Sequence, residues 1–505
     1  MPNTNDAPRR LLMIDIDGLR QDVFHQALGA GQIPNIAGLL HDAAHLDPVS
    51  PAPSITFCAQ STIFTGQHPD LHGIVGNQLF DRFGLRSGRQ PRFYAFDVGD
   101  TLAYNDAVLT FTALPTLENG LLGQALAPQT PTLYEIAAEQ GKQSVVVYHM
   151  ISRGAQQWIR PSLVDIARFT KGSGLIGMSG TQYDGEMIHK TLALLETGAC
   201  PDVLTVYFMG LDHISHREGP ATQQQYLVHV IDPLVGKLAD ALRKAGMLED
   251  SLVAVVSDHG QIEVIPDDRH SLRLSFPFDR EMGYLFDALG LDVHDKPGEG
   301  PNCDAVVASN GGLAQVYLRG HNAGWSDLPR YEEDVFPVAQ AFWEAHATGR
   351  HAQDLYGALS MVLARDVHNG GWDAEYFALN PDGSRVDVAE YLRQHPEIET
   401  VDAPARLRHL AGPLSGDLVL VANYKEGFYF GDIHTGVHGG LHPHDSLAVA
   451  SINWLGASED QRRRLREAAE GIPADRRRSD RREQTNLADV LPVLTEIMGW
   501  ESHSE

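Results

Sequence analysis

The 505-residue chain has three cysteines, Cys58, Cys200 and Cys303. An odd number at unpaired spacings excludes a disulfide framework. No apolar run reaches the length of a membrane span. No basic-then-apolar signal pattern precedes the first strand-like stretch at Leu11, so the expected compartment is the cytoplasm. Positive charge is scarce: 39 Lys and Arg against 66 Asp and Glu leave a formal charge of −27. A surface that acidic repels nucleic-acid duplexes and anionic membranes, which sets both aside as partners. An anionic small molecule would need a local positive site, and a bound metal cluster would supply one. Internal repeats and low-complexity tracts are missing as well.

What is there reads as globular. An apolar content of 43% is ordinary for a folded domain, and the length suits one large domain with insertions or two to three smaller ones. Leu11-Leu12-Met13-Ile14 reads as a buried strand ending at Asp15-Ile16-Asp17-Gly18. Apolar runs at Ser144–Tyr148, Val203–Met209 and Leu252–Ser257 read the same way, with helical patterns at Thr132–Gln140, Tyr183–Leu195 and Ala221–Lys244 between them. Strand and helix in alternation predict an α/β fold with a large, mostly parallel sheet covered by helices on both faces. The rhythm loosens after residue 265, although strands at Ala314–Leu318 and Ser360–Ala364 and a helix at Tyr331–His346 are legible. Leu418–Ala422 has core-strand character again, Arg476–Arg482 reads as a solvated basic connector, and Asn486–Met498 as a closing amphipathic helix. The expected organisation is a catalytic core over 1–264, with an excursion at the site mouth over about 78–128. A cap-like insertion, partly core, follows over 265–415, and the last part of the core over 416–505.

Pro53-Ser54 favours a turn, and apolar residues at helical spacing begin after Thr56, which places Thr56 in the first turn of a helix. Its hydroxyl then either caps that helix or stands where unpaired backbone N–H groups attract an anion. Four other places carry Asp or His after a buried strand or in a Gly-rich turn: Asp17, Asp212 with His216, Asp258-His259-Gly260, and His438 in Thr435-Gly436-Val437-His438-Gly439-Gly440. Singly, each is as well explained by a turn or a helix-surface pair. Carboxyl ends of strands in an open α/β sheet converge on one crevice, so the groups can meet. Together they make a dinuclear metal site with nitrogen and oxygen donors. Zn²⁺ suits that set best, and Mn²⁺ or Fe accepts it.

In this order the motifs resemble the alkaline phosphatase superfamily, and within it the type I phosphodiesterase/nucleotide pyrophosphatase family. The stretches concerned are Ile14 to Arg20, Thr56 through His72 to Asn77, Asp212 to Pro220, Ser257 to Gly260, and His438-Gly439, spread over most of the chain. The resemblance implies an α/β sandwich fold with an inserted cap. It implies one metal held by Asp212, His216 and His438, and another by Asp17, Asp258 and His259 with Thr56 Oγ. Thr56 would be the nucleophile, forming a covalent phosphothreonine, and the Phe57 N–H would bind a non-bridging phosphate oxygen. The implied substrate is a small phosphate ester, a phosphodiester or pyrophosphate and in many members a nucleotide. Phosphonoacetate hydrolase-type C–P cleavage and phosphomonoester hydrolysis are the alternatives within the superfamily. Related mutases usually carry Ser where this chain has Thr56, and the sulfatase motif Cys-x-Pro-x-Arg is absent at Cys58. One departure stands out. Many nucleotide-cleaving members follow the Thr with Phe-Pro-Asn-His, whose Asn holds a phosphate oxygen, whereas this chain reads Phe57-Cys58-Ala59-Gln60. Ala59 has no donor, so that contact is expected to pass to Gln60 or Asn77. His442 and His444 fit a supporting or a surface position equally.

Overall fold

A computed structural model describes residues 7–85, 90–96, 125–170, 177–274, 281–294, 298–299, 302–320, 324–471 and 484–500. The main sheet has seven strands in the order Ala44–His45, Ala450–Trp454, Ser251–Val256, Arg10–Ile16, Val203–Phe208, Ser144–Val147, Gln157–Ile159. The five strands from Ser251–Val256 to Gln157–Ile159 run parallel, and Ala450–Trp454 joins them antiparallel. Burial on both faces explains the unbroken apolar runs: Leu11 and Met13 enter the core on one side, and Leu12, Ile14 and Ile16 that on the other. Helices Gly180–Glu196 and Asp232–Lys244 cover the second face. Thr56–Thr65 and Val490–Met498 cover the first.

Register decides where the site lies. Ile16 pairs with Phe208 and Asp15 with Val256, so three central strands end level with one another. Asp17, the helix Gly210–Glu218 and Asp258 therefore leave the sheet at the same edge. The helix Thr56–Thr65 begins there, and every residue but Phe57 is buried. Gly66 ends it at φ +62°, a left-handed conformation that glycine adopts without strain. A side chain at that position would also press on Leu491 and Pro492, 3.3 Å from an added Cβ. Phe64 anchors the helix against His149 and Tyr134, with ring centroids 4.3 and 5.7 Å away. Truncating such a ring to alanine costs about 3–5 kcal/mol.

A second seven-stranded sheet, mostly antiparallel, runs in the order Val293–His294, Ala305–Asn310, Leu313–Leu318, Leu418–Ala422, Leu359–Ala364, Phe377–Leu379, Arg385–Val386. Leu418–Ala422 lies in this sheet, between Leu313–Leu318 and Leu359–Ala364. The chain re-enters the main sheet later, at Ala450–Trp454, because an all-apolar run of five residues does not specify its partner. The hairpin tip at Gly311 and Gly312 reaches the site: Gly312 N donates to His438 O at 2.8 Å. Within the expected excursion over 78–128, strands Gln78–Asp81 and Arg92–Ala95 pair with each other. Residues 97–124 and the basic run Arg476–Arg482 lie outside the described residues. Among the described residues the three cysteines are free, and no helix is long and apolar enough to cross a membrane.

Candidate metal centre

Two groups of buried donors gather at the sheet edge, Asp17 with Asp258 and His259, and Asp212 with His259 and His438; in each, the donor atoms lie within 4.8 Å of one another. His216 completes the second group, its Nε2 3.1 Å from His438 Nε2 and 3.3 Å from an Asp212 oxygen. Asp212 and His216 share one face of the helix Gly210–Glu218, four residues apart. His259 belongs to both groups, and its ring stacks on that of His438 with centroids 3.6 Å apart.

The imidazoles are oriented from outside. His259 Nδ1 faces Gly260 O at 3.0 Å, His216 Nδ1 faces Gly436 O at 2.8 Å, and His438 Nδ1 faces Ser54 O at 3.2 Å. A carbonyl can only accept, so each Nδ1 holds the proton and each Nε2 presents a lone pair to the centre. The carboxylates are held in the same manner. Asp258 Oδ1 accepts Gly18 N–H at 3.0 Å and His259 N–H at 2.9 Å, and Asp17 Oδ2 accepts the Tyr207 hydroxyl. Asp17 Oδ1 and Asp258 Oδ2 are buried without a hydrogen-bond partner.

The electrostatics call for cations. Burial, reinforced by the Asp258 and Asp212 charges, raises Asp17 well above the usual carboxylate range. Burial likewise lifts Asp258 to about 6. Asp212 differs: burial pushes it up, but positive charge at the Nε2 side of His216, His438 and His259, which a metal on those lone pairs would supply, holds it well below the ordinary value. Burial, then the neighbouring His259, depresses His438. Orphaned buried carboxylate oxygens beside lone-pair-bearing imidazoles are the donor set of a divalent metal, and the residues fit one.

Thr56 sits at the mouth of this cluster, 9% exposed. It is the first helical residue and makes no cap bond; its hydroxyl instead lies 3.0 Å from His259 Nε2. Of the expected substrate contacts, Asn77 and Phe57 come together: Phe57 N–H donates to Asn77 Oδ1 at 3.0 Å. That amide is therefore not open, as expected from sequence, but already paired. Gln60 is turned away. It is fully buried, donating to Asp15 at 3.2 Å and meeting His149 Nε2 through its oxygen at 3.0 Å. Ala59 is also fully buried, packed in the core. His442 stands apart from both donor groups, 3.4 Å from Glu399 and against the Tyr424 ring. Two supporting residues escape a motif reading. Tyr207 is the penultimate residue of an apolar strand, and Gln261 directly follows Asp258-His259-Gly260 and donates to Asp212. Their signal is a hydroxyl near the carboxyl end of a buried strand and adjacency to a ligand motif.

A family profile described as type I phosphodiesterase / nucleotide pyrophosphatase matches residues 11–441. An uncharacterized pyrophosphatase/phosphodiesterase of Schizosaccharomyces pombe is 24% identical over 264 residues, 51% of this chain and 46% of that protein. The bis(5'-adenosyl)-triphosphatase ENPP4 of Homo sapiens is 21% identical over 268 residues, 52% of this chain and 50% of that protein. The chain thus spans about half the length of the curated relatives it matches. The solved structure of murine ectonucleotide pyrophosphatase / phosphodiesterase 5, an inactive form in complex with AMP, covers 98% of this chain and 96% of its own at 13% identity, with a TM-score of 0.55. The human protein of the same name gives 0.56. These likenesses show a shared fold. The profile match reaches from the first strand, through every donor named above, to just past His438, and the chain belongs to the type I phosphodiesterase / nucleotide pyrophosphatase family.

Proposed function

We propose that this protein hydrolyses phosphodiester or pyrophosphate bonds of small molecules, nucleotides among them, through a covalent phosphothreonine on Thr56 at a two-metal centre. The observation that carries the reading is the placement of Thr56 Oγ1, 3.0 Å from the one histidine common to both donor groups. Asp212, His216 and His438 would hold one divalent ion, and Asp17, Asp258 and His259 with Thr56 Oγ the other; Zn²⁺ suits these donors, as do Mn²⁺ and Fe. When bound, such ions lower the pKa of a coordinated hydroxyl and neutralise charge building on the phosphorus oxygens and the leaving oxygen.

The chain supplies the rest. The helix start at Ile55–Thr56 fixes the attacking oxygen, and Phe64 and the surrounding core keep the helix from shifting. Thr56 Oγ attacks phosphorus, the bond to the leaving oxygen breaks, and a phosphothreonine forms. Water then attacks that phosphorus, freeing the Thr56 hydroxyl and a phosphate or phosphate monoester. An N–H can only donate, so Asn77 must turn its oxygen to Phe57; its Nδ2 hydrogens are left to hold a non-bridging oxygen of the substrate. Asn77, not Gln60, takes the contact that Ala59 cannot make. The AMP held by the murine relative and the bis(5'-adenosyl)-triphosphatase activity named for human ENPP4 favour nucleotide pyrophosphates and diesters as substrates.

The test is turnover by the purified, metal-loaded protein on p-nitrophenyl phosphate, bis-p-nitrophenyl phosphate, thymidine 5'-p-nitrophenyl phosphate and phosphonoacetate. The highest kcat/KM is expected on thymidine 5'-p-nitrophenyl phosphate. A clear preference for phosphonoacetate or for the monoester would replace this reading by the corresponding activity of the superfamily.

A further inference from the structure

The three aspartates of the centre share a feature: each has one oxygen tied to a buried neutral donor. For Asp258 the donors are backbone amides, for Asp17 the donor is Tyr207, and for Asp212 it is Gln261. Gln261 is fully buried. Its Nε2 lies 2.5 Å from Asp212 Oδ1 and 3.4 Å from Asp212 O, which leaves Oδ2 to face His216 at 3.3 Å. Its own Oε1 is buried without a partner and abuts Gly436, where an added Cβ would stand 2.8 Å from it and 2.5 Å from Ser215 O. Gly436 O in turn accepts from His216 Nδ1, and the strand Gly436–Val437 pairs with Ile262–Glu263. Gln261 thus bonds to Asp212, packs against the Gly436 segment that orients His216 and leads to His438, and follows immediately on Asp258 and His259.

We infer that Gln261 is a positioning residue for the metal of the Asp212 group, and for that metal alone. The inference rests on the two-metal reading above. By holding Oδ1, which faces His438 at 3.6 Å while Oδ2 faces His216 at 3.3 Å, it fixes the rotation of the carboxylate and keeps it from swinging out of line with the two imidazoles. Tyr207 does the same for Asp17 in the other group. Hydrogen bonds to ligands from such neighbours are typically worth about 10–100-fold in metal affinity. An amide carries no charge, so the hold adds order without changing the charge of the site.

The experiment is titration of the metal-free full-length protein with Co²⁺, followed by visible absorption. The two donor sets, two imidazoles with one carboxylate against one imidazole with two carboxylates, give distinguishable bands. The native protein is expected to take up two ions. Gln261→Met, which matches the length and lacks the donor, is expected to weaken the imidazole-rich site about 10–100-fold and leave the other unchanged. Tyr207→Phe is expected to do the reverse. If Gln261→Met fails to fold, Gln261→Glu, which keeps the size and sets an acceptor against Asp212, carries the same comparison. Native protein that binds no Co²⁺ would overturn the two-metal reading and this role with it. Two ions in the native protein, with both sites weakened alike or neither changed in the variants, would overturn the role of Gln261 alone.

Discussion

His216 Nε2 and His438 Nε2 stand 3.1 Å apart, although Nδ1 of each ring is spent on a backbone carbonyl. Two lone pairs at that distance repel unless a cation takes both, and Asp212 beside them supplies the matching charge. The protein is therefore expected to be isolated with two divalent ions per chain. Stripping them with a strong chelator should abolish hydrolysis and lower the unfolding temperature, since an ion at about 1,000 times its Kd stabilises the fold by roughly 4 kcal/mol. Elemental analysis and thermal unfolding, before and after chelation and after adding back Zn²⁺, are the measurements. Protein free of metal, or activity indifferent to chelation, sinks the two-metal reading.

Thr56→Ala separates chemistry from structure. The hydroxyl makes no cap bond and its observed partner is His259, so its loss costs the helix little. Turnover should fall at least about 10³-fold, as expected for loss of a nucleophile. The unfolding temperature should stay within a few degrees. Acid quenching during turnover of a substrate labelled on the retained phosphoryl group should trap phosphoprotein in the native enzyme and none in the variant. An unlabelled native enzyme would rule out the covalent route.

How far the sequence carries depends on what each position needs. The parallel strands are legible because burial on both faces demands unbroken apolar runs, and the donors are legible because they follow those runs directly. How deep a residue lies along a helix is harder to read. Gln60 is one turn past Thr56 on the same face and looks available, but four residues of helix carry it about 6 Å along the axis, below the crevice and into the interior against Asp15 and His149. Leu418–Ala422 announces a buried strand without naming its sheet. Tyr207 and Gln261 are supporting groups defined by which carboxylate they touch, and that depends on strand register and loop path.

Asn77 and Gln60 should therefore respond oppositely to truncation. Asn77→Ala removes the group paired with the Phe57 amide and a donor proposed for the substrate, so kcat/KM is expected to drop about 10²-fold with little change in stability. Gln60→Ala leaves Asp15 and His149 without their buried amide partner, which should cost about 1–3 kcal/mol of stability. Steady-state kinetics and urea unfolding on both variants decide it. A Gln60 variant of native stability with impaired substrate binding would return the contact to Gln60, the other of the two positions expected from sequence.

Asp184 lies behind the helix that carries Asp212 and His216, and it ties the stability of that region to pH. Its Oδ1 accepts the N–H groups of Met209 at 3.2 Å and Gly210 at 3.1 Å, and its Oδ2 the Tyr226 hydroxyl at 2.9 Å. Burial outweighs these bonds and lifts the carboxyl from its ordinary 3.8 to about 7. A raised carboxyl binds more protons folded than unfolded, so stability falls as pH rises from about 4 to about 7 and is level above that. In Asp184→Asn the amide keeps an acceptor for the two N–H groups and can donate to the Tyr226 oxygen, without the charge. Relative to native protein, the variant should gain about 2–3 kcal/mol between pH near 5 and pH near 8. Urea unfolding of both proteins in the presence of chelator, which keeps metal uptake out of the comparison, measures that difference. A difference that does not change with pH would mean that Asp184 is ionised in the folded protein throughout, held by its three donors against the cost of burial.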